Sequence, residues 1–206
     1  MNTKNESSKN NVSYLELIIG PMFCGKTSKV LEIYKQLKFC NIPVIIINHS
    51  IDTRYHESMV STHDKIMAPC IQTTKLSDIW NYKDVDSYFN ENSVRHIKLR
   101  SADVILINEG QFFEDLYEVV VDMLKCNKRV YICGLDSDFE RKKFGQILDL
   151  IPLCDKVNKL TSLCSQCKDG TPGIFSMRLT SEKQQTLVGS DNYIPVCRKC
   201  YENKML

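Results

Sequence analysis

Three features of this 206-residue chain predict an α/β fold built on a parallel sheet. Apolar runs of strand length alternate with segments of helical periodicity. The first run leads into Gly20-Pro21-Met22-Phe23-Cys24-Gly25-Lys26-Thr27, which fits the phosphate-binding pattern G-x-x-x-x-G-K-[ST]. Near the C-terminus two C-x-x-C pairs predict a small metal-binding lobe. The expected class is a P-loop NTPase-type parallel sheet flanked by helices, with a C-terminal zinc-binding lobe.

The chain divides into a polar leader over 1–13, expected to be disordered, a P-loop α/β domain over 14–160 and a zinc lobe over 161–206. Leu15 to Ile19 reads as the first strand. Thr27 to Lys38 then places Val30, Leu31, Ile33, Tyr34 and Leu37 on one helical face. Pro43 to Asn48 is a continuous apolar run, the pattern of a parallel strand buried on both faces. Residues 65–73 suggest a short strand. Leu76 to Ser101 is mixed, with Trp80 among polar residues, and reads as one helix plus irregular surface. Asp103 to Ile107 is the third strong strand, Glu114 to Cys126 an amphipathic helix, and Arg129 to Gly134 the fourth strand.

A P-loop brings backbone N–H groups and a helix N-terminus to phosphate oxygens. Lys26 would reach the terminal phosphates, and the Thr27 hydroxyl would ligate Mg²⁺. The strand over 103–107 ends in Asn108-Glu109, where P-loop proteins place an acidic group that organises metal or water. Glu109 therefore activates either a water, in an NTPase, or a substrate hydroxyl, in a kinase. Asp52-Thr53-Arg54 follows the second strand, at the end of the sheet where open α/β folds bind ligands. A solvated turn fits that tripeptide equally well. His49, His56, His63 and His96 have no partner pattern and read as structural.

Cys164, Cys167, Cys197 and Cys200 form two matched pairs, and four thiolates suit tetrahedral Zn²⁺ in a closed, structural site. The long spacing between the pairs suggests that a polar loop, Ser176 to Tyr193, is held between them. The other six cysteines are scattered and read as small buried hydrophobes. With no apolar h-region and no membrane-length apolar run, the expected setting is cytoplasmic and reducing. A net charge of +2 supplies no field for nucleic acid or membrane surfaces. Two non-kinase readings compete: an NTPase without a nucleoside substrate, and a zinc-ribbon nucleic-acid binder, for which Arg198-Lys199 is the only basic pair between the last cysteines.

GPMFCGKT, DTRY, STHD, INEGQFF, GLDSDFERKKFG and CSQC…CRKCY, in that order, resemble the type II thymidine kinases of cells and large DNA viruses. The resemblance runs from Leu15 to Tyr201. It implies transfer of the γ-phosphoryl group of ATP to the 5′-hydroxyl of thymidine or related deoxynucleosides, with Mg²⁺, a structural Zn²⁺, feedback binding of thymidine triphosphate, and a homotetramer. By position it makes Glu109 the general base and puts Arg54 near the transferred group. Thr27, Asp52 and Asn108 fall on the Mg²⁺ side, and Met22, Phe112 and Phe139 become pocket walls. Gln184-Gln185-Thr186-Leu187-Val188 corresponds to the lasso that holds thymine through main-chain hydrogen bonds, with Tyr193 closing over it. Asn108 stands where the family usually has Asp, so weaker Mg²⁺ binding is expected. Lys143 replaces a common proline, and Cys24 a common serine. Within the phosphate cradle Cys24 is expected to have a lowered pKa and to react with alkylating agents.

Overall fold

A computed structural model of the chain describes residues 12–51, 59–61, 66–81, 91–187 and 189–205. Six strands form one wholly parallel sheet: β1 (Tyr14–Ile19), β2 (Val44–His49), β5 (Ile71–Thr73), β6 (Val104–Asn108), β7 (Arg129–Gly134) and β8 (Lys156–Lys159). Their spatial order is β5-β2-β6-β7-β1-β8. A short antiparallel pair, β3 (Met59–Ser61) with β4 (Met67–Pro69), lies outside that sheet.

Successive residues of each strand face opposite sides, and both sides are covered. On one side Leu15, Leu17, Ile105, Ile107, Val130 and Ile132 pack with α2 (Ser77–Trp80), α3 (Glu91–Ser101) and α4 (Leu116–Lys125). On the other, Ile18, Ile46, Leu106 and Cys133 meet Val30 and Leu31 of α1 (Lys26–Phe39). This is why β6 is buried at every position and reads as an unbroken apolar run.

Several expectations need correction. Trp80 is fully buried rather than part of an irregular surface; its indole N–H donates to Asp122 Oδ2 at 2.6 Å. The Arg100 guanidinium stacks 3.8 Å from its ring centroid, so α3 is fastened to α2 through this residue. The 65–73 stretch makes two strands, β4 and β5, not one.

Beyond β8 the architecture becomes small and antiparallel. β9 (Ser162–Leu163) pairs with β10 (Pro172–Gly173), and β11 (Phe175–Arg178) with β12 (Tyr193–Val196), followed by α5 (Arg198–Met205). The segment expected to be one loop over 176–193 is thus a loop between two paired strands. The Tyr201 hydroxyl of α5 donates to the Phe139 carbonyl at 2.6 Å, linking this lobe to the segment after β7.

Candidate active site

The carboxyl ends of β1, β6 and β7 lie side by side in the order β6-β7-β1 and feed one pocket. After β1 the chain turns at Gly20, whose φ is 148° and where a Cβ would come within 2.4 Å of the Leu160 carbonyl oxygen. A side chain at this position would collide with the backbone beyond β8, so glycine is required. Gly25 (φ 83°) then opens α1. Lys26, Thr27 and Met22 line the pocket. The Lys26 ammonium donates to the carbonyls of Gly20 (3.2 Å) and Pro21 (2.6 Å), folded back on its own loop.

The Cys24 thiol departs from expectation. Burial pushes its pKa up, and the nearby Lys26 ammonium offsets only part of that rise. A single positive charge does not outweigh that desolvation.

Glu109 enters the same pocket from the end of β6. Its backbone is left-handed, with φ 55°, an uncommon state for a non-glycine residue and one that collects at functional positions. Its Oε2 accepts the Gln111 side-chain amide at 2.7 Å, and Gln111 Oε1 in turn accepts the Leu135 backbone N–H at 2.9 Å. Gln111 is buried, and at Gly145 (φ 60°) a Cβ would come within 2.1 Å of the Gln111 carbonyl oxygen. The carboxylate is therefore aimed by a rigid, close-packed neighbour.

Asn108 does not line the pocket but lies behind it, fully buried. Its Oδ1 accepts the Cys133 thiol at 2.8 Å and the Thr27 hydroxyl at 3.5 Å, and its Nδ2 donates to Asn48 Oδ1 at 2.8 Å. Burial raises the Cys133 pKa to about 12, keeping it a neutral donor. His49 packs against Phe112 and Phe113, with its Nδ1 accepting the Ile51 N–H at 3.1 Å; burial lowers its pKa, so the ring is held neutral.

Phe112 and Phe139 line the pocket from the sheet side, and its roof comes from the lobe, with Tyr193, Gln185, Thr186 and Leu187. Gln184 does not line it; its carbonyl accepts from Arg178 instead, at 2.6 Å. The same guanidinium donates to the carbonyls of Glu182 (2.8 Å) and Gln185 (3.1 Å) and to the Tyr193 hydroxyl, and it stacks 3.7 Å over Phe139. Buried Arg178 thus gathers three carbonyls of an irregular segment that has no ladder of its own. Asp52, Arg54 and Val188 lie outside the described residues.

Among residues without a role from sequence, Gln111, Arg178, Asp138 and Ser176 belong to this site. Ser176 Oγ accepts the Met22 N–H at 2.9 Å, joining lobe to P-loop. Gln111 lay inside the INEGQFF motif. Arg178 had a fainter signal, a charge set inside the apolar Phe175–Leu179 stretch.

The four sulfurs of Cys164, Cys167, Cys197 and Cys200 all lie within 4.8 Å of one another. Cys167 is 3.7 Å from both Cys197 and Cys200. A tetrahedron with Zn–S bonds of about 2.3 Å has sulfur–sulfur edges of about 3.8 Å, so the donor set fits zinc. Among the described residues, no helix is long and apolar enough to cross a membrane.

Residues 13–201 match the family model described as thymidine kinase. The chain is 40% identical over 190 residues to a thymidine kinase of Sheeppox virus, covering 91% of this chain and 96% of the relative. It is 36% identical over 193 residues to that of Variola virus (93% and 98%), and 37% identical over 189 residues to thymidine kinase a of Arabidopsis thaliana (91% and 74%). Reached through a P-loop, an aimed carboxylate and a cysteine-clamped roof, the conclusion is that this chain belongs to the thymidine kinase family.

Proposed function

We propose that the protein transfers the γ-phosphoryl group of ATP to the 5′-hydroxyl of thymidine. One observation carries the reading: a single pocket places Lys26 and Thr27 of a P-loop, the Glu109 carboxylate and the segment over 185–187 around one space. Phosphoryl transfer asks chiefly for positioning and charge stabilisation. Glu109, aimed by Gln111, takes the proton of the 5′-hydroxyl. Lys26 leaves the Gly20 and Pro21 carbonyls to meet the terminal phosphates. Mg²⁺, when bound, offsets phosphate charge, and Thr27 with Asp52 would hold it while Asn108 orients the Thr27 hydroxyl from behind. Arg54 stabilises the equatorial oxygens of the transferred group. Phe112, Phe139 and Met22 flank the nucleoside, and main-chain groups of 184–188 read thymine beneath Tyr193.

In this reading 14–160 is the catalytic domain, 161–206 a lobe ordered by structural Zn²⁺, and 1–13 a leader outside both. Four thiolates kept for metal suit a reducing cytoplasm. The resemblance to type II enzymes also supports a homotetramer and feedback binding of thymidine triphosphate, which would span the thymine and phosphate sites.

A nucleoside panel with ATP and Mg²⁺ tests the reading. Thymidine-dependent ADP release with formation of thymidine monophosphate is expected. ADP release at the same rate with and without nucleoside would make the protein an NTPase instead.

A further inference from the structure

We propose that the Asp138 carboxylate and the Gln185 side-chain amide form a latch that holds the 181–187 segment closed over the pocket. The proposal rests on the thymidine kinase reading and adds two positioning residues to it. Asp138 lies between β7 and Gly145 and is only 5% exposed. Its two oxygens have separate duties. Oδ1 accepts the backbone N–H groups of Glu140 and Lys142, both at 2.9 Å, which closes its own turn. Oδ2 accepts Gln185 Nε2 at 2.8 Å, across 47 residues of sequence. One oxygen would satisfy the turn; the second reaches the lobe.

Gln185 is where two grips converge. Arg178 holds its carbonyl from within the lobe, and Asp138 holds its side chain from the sheet side. The neighbouring ring of Phe139 lies under the Arg178 guanidinium, so the latch and the aromatic wall move as one unit. Without it, the segment over 181–187 would keep its link to Arg178 but lose a tie to the segment after β7. An open roof lowers the binding-competent fraction, and apparent affinity falls by that same fraction.

The test compares Gln185→Leu, which removes the donor at similar size, with Asp138→Asn. In the latter, Oδ1 still accepts the two turn amides, while Nδ2 donates to a turned-over Gln185 amide. A hydrogen bond to a charged group predicts an increase of about tenfold in thymidine KM for Gln185→Leu, equivalent to about 1.4 kcal/mol. KM for ATP is expected to stay within about twofold, and Asp138→Asn, which exchanges a charged acceptor for a neutral partner, to raise thymidine KM less than Gln185→Leu does. Thymidine KM unchanged in Gln185→Leu, or KM for both substrates rising together, overturns the latch. Wild-type protein that does not phosphorylate thymidine would refute the functional reading alone. The latch then stands or falls on amide hydrogen exchange over 181–187 in ligand-free protein: faster in Gln185→Leu supports it, equal rates overturn it.

Discussion

From β1 to β8 the chain is held by apolar burial on both faces of a sheet, whereas the core of the lobe is the small cluster of Cys164, Met177, Val196, Cys197 and Tyr201. Two of those five are cysteines of the tetrahedral set. So small a core cannot offset the entropy of ordering a segment such as 181–187. Three polar devices replace it: the cysteine cluster, the Arg178 hub and the Asp138–Gln185 latch. The pocket lies between the two regimes; in the proposed reading the chemistry falls on the rigid side and substrate capture on the stapled side. The sheet side should therefore govern turnover, and the lobe side affinity for the nucleoside.

Replacing Glu109 by Gln breaks the sheet side at its most sensitive point. Gln keeps an acceptor for Gln111 and similar bulk, but it cannot take a proton. We expect kcat to fall about 10²- to 10⁴-fold, the ordinary range for a general base, while ATP binding by calorimetry stays within about twofold. Near-normal turnover would move the base elsewhere.

Disrupting the four-cysteine set, which holds zinc in the proposed reading, breaks the lobe side. Chelation, or Cys197→Ser at a buried ligand position, is expected to raise thymidine KM at least tenfold through loss of the ordered roof. The sheet should persist, giving a melting profile with a retained major transition. Zinc content near zero with thymidine KM unchanged would sever lobe from pocket.

The same contrast governs what could be read in advance. β1, β2, β6 and β7 were legible because burial on both faces leaves a predominantly apolar run. β8 was not, since at the sheet edge Lys156-Val157-Asn158-Lys159 is largely exposed and carries no such signature. The metal set was legible because its spacing is local within each pair. Trp80 and the Asp138–Gln185 pair were not, because these partners are set by topology: Trp80 meets Asp122 across 42 residues and Asp138 meets Gln185 across 47. Arg178 serves carbonyls, which leave no trace in side-chain pattern.

Asn108 yields the smallest expected effect and the finest test of the rigid side. In register it faces Asn48 across β2 and β6, and its amide donates to the Asn48 oxygen. An Asp at 108 would set oxygen against oxygen there, unless the Asn48 amide turns over to donate. The new charge would also be fully desolvated beside the Cys133 thiol until a cation arrives. Asn108→Asp should therefore trade ligand-free stability for metal affinity. We expect a loss of about 1–3 kcal/mol, lowering the ligand-free melting midpoint by several degrees at about 2–4 °C per kcal/mol for a chain of this size. Alongside it, the Mg²⁺ concentration for half-maximal activity should fall about three- to tenfold, since a carboxylate next to Thr27 attracts the ion where an amide carries no charge. A lowered midpoint with unchanged Mg²⁺ dependence would make Asn108 a spacer between strands, with no part in the metal's field.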